Sequence, residues 1–223
     1  MKEDTRPVIV TIRCITYNQA PYIRQCLEGF VMQETNFRFE AIVHDDASTD
    51  GTTSIIREYA EKYPGIIIPI YETENQYSKG GFTLINQKMS EMVRGKYVAV
   101  CEGDDYWIDP RKLQKQVDYM EQHPECVLSY TDLNFFNQEQ QRIEYSVFEN
   151  GQLPITSKYI EMLKYRRYIA PCTWLYRPKE YLKTKERCAD SSFYFALQAF
   201  AKSEVHYIPI TTAVYRQLQE SAS

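Results

Sequence analysis

The chain has 223 residues with a formal net charge of -4, and 43% of its residues are hydrophobic. This length allows one α/β domain, or two small ones, to bury a full core. The acidic balance argues against nucleic acid as a partner, because nucleic-acid binders carry a basic excess. No apolar run is long enough to span a membrane, and the charged N-terminus does not resemble a signal peptide.

The cysteines and histidines point to no familiar metal or nucleophile motif. The six cysteines lie at positions 14, 26, 101, 126, 172 and 188, and none belongs to a CxxC pair. We therefore expect buried free thiols, and neither a zinc site nor a disulfide framework. The three histidines are scattered along the chain and predict no nucleophilic triad.

Residues 1–108 alternate between short apolar runs and segments with helical spacing of apolar residues. The runs rich in β-branched residues predict strands, and the i, i+3, i+4 pattern predicts helices. Strands that alternate with helices of this length imply right-handed crossovers and a mostly parallel sheet that is covered on both faces. The predicted strands are residues 8–16, 39–44, 66–71 and 97–101, and the predicted helices are residues 22–33, 54–63 and 82–93.

Residues 109–223 show a looser pattern. Asp109 followed by Pro110 is typical of a helix N-cap with proline at the first helical position, so we predict a helix that runs through Met120. No internal repeat or linker divides the chain, so we predict one continuous domain over residues 1–223, and we expect the natural chain to continue. The other predicted strands are residues 126–136, 142–148, 172–177 and 205–216, and the other predicted helices are residues 157–168 and 191–202.

Polar residues collect where the four predicted strands of residues 1–108 end. In open α/β sheets, ligands bind outside the carboxyl ends of the strands, so these clusters define one candidate site. Asp104 and Asp105 follow the fourth strand, and adjacent carboxylates repel each other unless a cation neutralises them. Hard oxygen ligands suit Mg²⁺ or Mn²⁺. The alternative interpretation of the pair is a solvated acidic loop.

Other polar residues near these positions have both functional and structural interpretations. Asp46 follows the second strand and can accept a hydrogen bond from a nucleobase, whereas Asp50 suits capping of the next helix. Tyr17 can stack on a base or pack on the following helix. Lys79, in a Lys-Gly-Gly turn, can contact a pyrophosphate but lacks the Walker pattern. Asp190 can cap the last predicted helix, and nearby aromatic residues can raise its pKa to suit a general base.

Four stretches of the sequence carry a resemblance to a known family. The three stronger ones are IRCITYNQAPYIRQCL at 12–27, FEAIVHDDASTDGT at 39–52 and GKYVAVCEGDDYWIDPRKLQKQ at 95–116, and the weaker one is CADSSFYFALQAFAKSEVHYIPITTAVYR at 188–216. In order, spacing and strand context they resemble the family 2 glycosyltransferases over nearly the whole chain. The resemblance implies the GT-A fold, an α/β fold with a Rossmann-like, mostly parallel central sheet flanked by helices and a smaller mixed C-terminal region.

The resemblance also implies an activity. Family members transfer a sugar from a nucleoside diphosphate donor to an acceptor hydroxyl, usually with inversion, and a UDP-sugar is the expected donor here. Residues 1–108 would form the donor half and residues 109–223 the acceptor half. The aromatic and basic segment 165–174 suits a glycan or a lipid-linked glycan as the acceptor. We expect a cytoplasmic protein that can associate peripherally with the inner face of a membrane, since no signal is present and nucleotide sugars are needed.

The resemblance assigns roles to the residues at the strand ends. The backbone near Ile15 and the side chain of Tyr17 would hold uracil or another base, and Asp46 would hydrogen-bond the edge of that base. Asp104 would approach the ribose or the metal. Asp105 would ligate the Mn²⁺ or Mg²⁺ that bridges the diphosphate.

Asp190 matches the position of the family's catalytic base, which takes a proton from the acceptor hydroxyl. Three positions depart from the usual family pattern. Glu102 stands where aspartate is commoner, and Ala189 precedes the base in place of an acidic residue or glycine. Leu218 stands where many members place a histidine near the diphosphate, which puts a C-terminal contribution to the donor site in question.

Three other functions agree less well with the sequence. A sugar-nucleotide nucleotidyltransferase needs a glycine-rich, basic loop after its first strand, and residues 17–21 contain no glycine. A response-regulator receiver needs an aspartate after its third strand, where this chain has Glu72. A non-catalytic module that binds a nucleotide sugar or a glycan stays open, although the candidate aspartates together favour an enzyme.

Overall fold

The computed structural model describes residues 6–165, 168–178 and 191–219. The strands are β1 (Val8–Thr16), β2 (Arg38–Asp45), β3 (Ile67–Tyr71), β4 (Tyr97–Val100), β5 (Tyr106–Trp107), β6 (Cys126–Asn137), β7 (Arg142–Glu144), β8 (Leu175–Tyr176) and β9 (Glu204–Gln217). The helices are α1 (Ala20–Val31), α2 (Thr52–Lys62), α3 (Phe82–Glu91), α4 (Lys112–Gln122), α5 (Tyr159–Tyr165) and α6 (Ser191–Lys202), with a short 3-10 helix at Pro171–Thr173. Within these residues the strands form one sheet in the order β3-β2-β1-β4-β8-β6-β9-β5, and β7 pairs with β6.

Strands β1 to β4 form the parallel part of the sheet. β1 pairs with β2 and β4, and β2 pairs with β3, all in parallel. β2 is buried along nearly its whole length, as a strand covered on both faces requires. Ile23, Leu27 and Phe30 of α1 are fully buried because they recur on one face of the helix. The predicted parallel sheet with crossover helices is confirmed.

The second half of the chain extends the same sheet as a mixed region. β8 joins β4 to β6 through antiparallel pairs, whereas β6 and β9 run parallel from the Cys126–Glu204 pair to the Asn137–Gln217 pair. One hydrophobic cluster contains buried residues from both halves, including Ile12 of β1 and Leu133 of β6. This architecture confirms the predicted fold class. The division into a donor half and an acceptor half stays a prediction.

Two predicted strands are shorter than expected. Of residues 142–148, only Arg142–Glu144 pairs with β6. The Phe148 N–H donates to the carboxylate of Asp132 at 3.0 Å and is therefore not available for strand pairing. Of residues 172–177, the first two belong to a 3-10 helix, in which Thr173 donates from both its N–H and its hydroxyl to the Ala170 carbonyl. These local hydrogen bonds compete with the sheet ladder.

The start of α4 also differs from the prediction. The carboxylate of Asp109 accepts the N–H of Arg111 at 2.9 Å, and the helix begins at Lys112 and not directly at Pro110. The two-residue strand β5 is not predicted from the sequence, because a strand of this length has no detectable periodicity.

Two further expectations concern the cysteines and the possibility of membrane-spanning helices. Its five cysteines, at positions 14, 26, 101, 126 and 172, are buried free thiols, as predicted, and Cys188 lies outside the described residues. Among the described helices, none combines the length and the apolar character that crossing a membrane requires.

Candidate active site

The carboxyl ends of β1 to β4 lie along one edge of the sheet. Thr16 pairs with Asp45, and Asp45 pairs with Tyr71. On the other side of β1, the N–H of Gly103 donates to the carbonyl of Ile15 at 3.1 Å. These contacts place the residues that follow the four strands side by side, as the sequence predicts.

Asp104 and Asp105 form the acidic centre of this edge. Asp105 is only 4% exposed, and Asp104 is partly buried. Burial, together with the negative charge of Asp104, raises the pKa of Asp105 well above its ordinary value. Burial also raises the pKa of Asp104, and the nearby charge of Arg216 opposes that rise. Two desolvated carboxylates at adjacent positions favour neutralisation by a proton or a cation.

Arg216 of β9 ties the acidic pair to the second half of the chain. Its main-chain N–H donates to Asp105 Oδ1 at 2.8 Å, and its Nε donates to the carbonyl oxygen of Asp104 at 2.9 Å. Its two terminal nitrogens donate to the side-chain oxygens of Gln25 and Gln138, at 2.7 and 2.5 Å. The arginine is 5% exposed. Because these acceptors of the guanidinium are neutral, its charge acts on the carboxylates through space.

Three aromatic rings enclose the Arg216 guanidinium. Its central carbon lies 4.8 Å from the ring centroid of Tyr22 and 5.3 Å from those of Tyr106 and Phe136. Such contacts stabilise a desolvated cation. Packing from α1, β5 and β6 therefore fixes the arginine beside the acidic pair.

Gly103 allows the acidic loop to lie directly against β1. A Cβ at this position would lie 2.4 Å from Gln19 Oε1 and 2.7 Å from Thr16 Oγ1. Those two groups already form a hydrogen bond with each other at 2.7 Å. Glycine is therefore required here by the close approach of the two chain segments.

The loops after β1 and β2 are tied to each other. The N–H of Asn18 donates to Ser48 Oγ at 2.8 Å, and the Asn18 side chain accepts the N–H of Thr49 at 2.8 Å. Asn18 and Ala47 have positive φ angles of 50° and 64°. An alanine in this region is strained, and such strain concentrates at functional sites. Asp50 accepts the N–H groups of Ala20 and Thr52, the first residues of α1 and α2, whereas the N-cap residue of α2 is Gly51 and not Asp50.

Asp46 binds the loop after β3 in this structure. Its carboxylate accepts the N–H groups of Gln76 and Tyr77 at 2.7 and 2.9 Å, and the residue is 1% exposed. A nucleobase would have to share this carboxylate, so the predicted base contact stays a prediction. Lys79 lies on the same loop, where it is exposed and ion-paired with Glu74. β3 and β4 are three strand spacings apart in the sheet, which is about 14 Å. Lys79 follows β3 and the acidic pair follows β4, so the predicted contact of Lys79 with a diphosphate also stays a prediction.

Of the remaining predicted residues, the structure describes Tyr17 and Ile15 but not Asp190. The ring of Tyr17 is 46% exposed, so it is available to stack on a base. The carbonyl of Ile15 is occupied by the Gly103 N–H, and its side chain packs on the smaller core cluster around Ile42. Asp190, the predicted catalytic base, lies outside the described residues, immediately before α6.

An aromatic pair lies beside the acidic centre. The ring centroids of Tyr168 and Tyr215 are 6.0 Å apart, and Tyr168 is 37% exposed. Burial, with a contribution from the Asp105 carboxylate, raises the pKa of Tyr215 to about 12. Burial also raises the pKa of Tyr168, with smaller contributions from Tyr215, Cys172 and Asp105. Partly wet aromatic faces of this kind suit the apolar face of a sugar ring.

The acidic pair fits a hard divalent cation. Its donors are carboxylate oxygens, which are the ligands that hard divalent cations prefer, and burial raises the pKa of both carboxyl groups. In the described part of the chain, these two residues belong to no cluster of three ligand atoms from His, Cys, Asp or Glu.

A buried polar layer lies beneath the acidic pair, formed by Lys112, Gln116 and Cys172. Lys112 is fully buried, and its ammonium nitrogen contacts Gln116 Oε1 at 2.5 Å and lies 4.6 Å from the Trp107 ring centroid. The Gln116 amide donates to the carbonyl of Thr173 at 3.0 Å. Burial raises the pKa of the Cys172 thiol, and the nearby Asp105 carboxylate adds to that rise. The layer thus lies between the start of α4 and Asp105.

Burial lowers the pKa of Lys112 to about 7. Below about pH 7 the lysine is protonated in both the folded and the unfolded chain, so the cost of burying the charge is fully present. As the pH rises toward the ordinary lysine pKa, only the unfolded chain keeps the proton, and the folded state gains stability. Between about pH 7 and pH 9, the wild type should gain about 2 kcal/mol relative to Lys112→Met. Denaturant unfolding at both pH values measures this, and parallel pH dependences of the two proteins would contradict it.

Sequence reasoning misses several residues that the structure brings to the site. Arg216 and Asp105 are 111 positions apart, and no local pattern links them. Two signals mark Arg216 itself: it ends the stretch 188–216 that carries the family resemblance, and it is a cation at the end of an apolar strand. Tyr168, Tyr215 and Cys172 likewise reach the acidic pair only through the pairing of β8 and β9 with the rest of the sheet.

This arrangement is that of the GT-A fold, in which a Rossmann-like parallel sheet presents an acidic pair at its carboxyl edge. The sequence profile of glycosyl transferase family 2 matches residues 11–207. The chain therefore belongs to glycosyl transferase family 2. The resemblance and the fold predicted from the sequence are both confirmed.

Known relatives are longer than this chain. An uncharacterized protein of Mycobacterium tuberculosis is 34% identical to it over 217 residues, which cover 93% of this chain and 58% of the relative. The chain thus spans less than two thirds of that relative's length.

Solved structures confirm the fold. TarS 1-349 from S. aureus, in complex with UDP, superimposes with a TM-score of 0.69 and 18% identity over 94% of this chain and 61% of TarS 1-349. The mannosyltransferase PcManGT from Pyrobaculum calidifontis, in complex with GDP-Man and Mn²⁺, gives a TM-score of 0.68 and 18% identity over 97% of this chain and 59% of PcManGT.

Proposed function

We propose that this chain is an inverting, metal-dependent glycosyltransferase that uses a nucleoside diphosphate sugar, with a UDP-sugar as the expected donor. The observation that carries the proposal is the desolvated acidic pair at the carboxyl edge of the parallel sheet. Asp105 is 4% exposed, and Asp104 adds a second negative charge beside it. Family membership and neighbours whose structures contain UDP, or GDP-Man with Mn²⁺, support it.

Each part of the edge has a role in holding the donor. Asp104 and Asp105 would bind Mn²⁺ or Mg²⁺, which neutralises charge on the diphosphate leaving group. Tyr17 would stack on the base, and Asp46 would accept a hydrogen bond from its edge. Arg216 would limit repulsion between the acidic pair and the phosphates, because it lies fixed beside Asp104.

The transfer itself needs a base on the acceptor side. The carboxylate of Asp190 takes the proton of an acceptor hydroxyl, and the oxygen attacks the anomeric carbon of the sugar. The new glycosidic bond forms as the bond from the anomeric carbon to the phosphate oxygen breaks, and the nucleoside diphosphate leaves with the electron pair. One displacement of this kind inverts the anomeric configuration.

The acceptor is proposed to be a glycan or a lipid-linked glycan. Tyr168 and Tyr215 offer a partly exposed aromatic surface beside Asp105. Such a surface favours a sugar ring over a small polar acceptor, because the ring can bury its apolar face against it. A lipid-linked acceptor would bring the protein to a membrane surface as a peripheral partner.

Nucleoside diphosphate release tests the proposal. We expect that UDP-glucose, UDP-GlcNAc or GDP-mannose, each with Mn²⁺ and a mixture of oligosaccharides, gives release that EDTA abolishes. Asp190→Asn should lower the rate by about 100-fold or more, because general-base catalysis contributes on that order. Asp50→Asn is the matched control, since Asp50 accepts the main-chain N–H groups of Ala20 and Thr52 and its amide analogue keeps an acceptor oxygen. No release with any donor, or full activity of Asp190→Asn, would contradict the proposal.

A further inference from the structure

Two of the three histidines of the chain lie together at the opposite end of the sheet from the acidic pair. One ligand atom each of His123, Glu125 and His206 lies within 4.8 Å of the other two. His206 is paired with Ser129 of β6, whereas Arg216 is paired with Phe136, seven residues further along β6. At about 3.3 Å per residue, the two positions are roughly 23 Å apart.

In this group of His123, Glu125 and His206, which we name the histidine cluster, each histidine has at least one hydrogen-bonded ring nitrogen. Tyr119 Oη contacts His206 Nδ1 at 3.0 Å, and the other ring nitrogen, Nε2, contacts Glu204 Oε2 at 2.9 Å. His123 Nδ1 contacts Glu125 Oε1 at 3.0 Å. Histidines that bind metals commonly hold their second ring nitrogen through such a hydrogen bond, which sets the tautomer and the ring orientation.

The charge of the histidine cluster favours a cation. The carboxylates of Glu125 and Glu204 lie 3.0 and 2.9 Å from the two imidazoles and add negative charge to the site. The two imidazole rings are in direct contact, with centroids 5.6 Å apart. Glu125 and His123 are partly exposed, with 44% and 39% of their side chains accessible, so an ion can enter from solvent.

We propose that the histidine cluster is a second metal site, which takes a transition metal of the Zn²⁺ or Ni²⁺ type through His123, His206 and Glu125. Imidazole and carboxylate ligands suit these ions, whereas the all-oxygen acidic pair suits Mg²⁺ or Mn²⁺. Tetrahedral zinc with bonds of about 2.0–2.2 Å needs ligand atoms roughly 3.4 Å apart. The ligand atoms here lie within 4.8 Å of one another, so side-chain movements of about an ångström would bring them to that distance. Glu204 or water supplies the fourth ligand.

A metal here would act on the fold and not on the chemistry. His123 terminates α4, Glu125 precedes β6, and His206 lies near the start of β9. One ion would therefore join three elements of the second half, including the strand that carries Arg216. This site is independent of the proposed transferase function, because its ligands are distant from the acidic pair.

Proton NMR of the imidazole rings during a Zn²⁺ titration tests the site, on the full chain prepared without a polyhistidine tag. The C2–H signals of two histidines should shift or broaden with one equivalent of Zn²⁺. The third histidine, His44, is fully buried against Glu72 and serves as an internal reference. Calorimetry should give one Zn²⁺ site whose affinity falls at least 10-fold in His206→Gln and in Glu125→Gln.

Two further variants keep the test decisive. Asp105→Asn removes a ligand of the other candidate site and should leave Zn²⁺ affinity unchanged. Tyr119→Phe keeps every metal ligand and should weaken Zn²⁺ about 10-fold, through loss of the hydrogen bond to His206. Zn²⁺ affinity that is unaffected in Glu125→Gln and His206→Gln, or lost in Asp105→Asn, would overturn the proposal, as would unmoved histidine signals.

Discussion

Arg216→Met is expected to lower the free energy of unfolding by about 3 kcal/mol at neutral pH, in the absence of added metal. The variant removes the cation that lies beside Asp104 and Asp105 and leaves the two buried carboxyl groups without its charge. It also leaves the side-chain oxygens of Gln25 and Gln138 without their donor. Denaturant unfolding of the purified variant measures the loss.

Arg216→Lys is the matched control for this prediction. It keeps the positive charge but loses the planar fork that reaches three acceptors at once, so we expect about half the loss. Addition of Mn²⁺ should restore part of the stability of Arg216→Met, because a divalent cation replaces the missing charge. If Arg216→Met unfolds at the same denaturant concentration as the wild type, the arginine does not stabilise the acidic pair.

Asp105→Asn is expected to have the opposite effect on the metal-free protein. The amide is nearly isosteric, and its oxygen can still accept the Arg216 N–H that Asp105 Oδ1 accepts at 2.8 Å. It carries no charge, so both the burial cost and the repulsion from Asp104 disappear. The variant should therefore be more stable than the wild type at neutral pH, and it should lose metal-dependent donor binding. A gain in stability together with a loss of binding is typical of a substitution at a functional site that destabilises the fold.

The pH dependence of that stability difference has a defined sign. The folded-state pKa of Asp105 is raised above its unfolded value, so the carboxyl keeps its proton to higher pH in the folded chain. Below about pH 3 it is largely protonated in both states, because the ordinary Asp pKa is about 3.9, and its ionisation then costs no stability. The cost grows as the pH rises toward the folded-state pKa. As the pH rises from about 4 toward the folded-state pKa of Asp105, the stability of Asp105→Asn should therefore increase relative to that of the wild type, and a constant difference would contradict this account.

The sequence predicts most of the parallel half because local and global signals agree there. The spacing of Ile23, Leu27 and Phe30 places them on one helix face, and that face is the buried one. The errors occur where a side chain competes with the backbone ladder. The Phe148 N–H donates to the Asp132 carboxylate, and the strand ends before it. The Thr173 hydroxyl donates to the Ala170 carbonyl, and the next strand begins after it. Such competition depends on distant partners that periodicity does not contain.

Some residues of the candidate site can be predicted from the sequence, and others cannot. Asp104 and Asp105 are visible in the sequence because they follow a strand directly, and sheet topology brings all such strand ends together. Arg216, Tyr168 and Cys172 are not visible, because the pairing of β5 with β9 and of β8 with β4 alone brings them to the acidic pair. The histidine cluster is hidden for the same reason, since the pairing of β6 with β9 creates it.

A calorimetric titration of UDP tests the central claim most directly. It is run on the wild type and on Asp105→Asn, each with Mn²⁺ and with EDTA, and repeated with GDP and dTDP. The account predicts that the wild type binds one of these diphosphates only with Mn²⁺, and that Asp105→Asn binds it about 100-fold more weakly or not at all. Equal affinity of the two proteins, or no binding of any diphosphate under either condition, would contradict a metal-dependent donor site at the acidic pair.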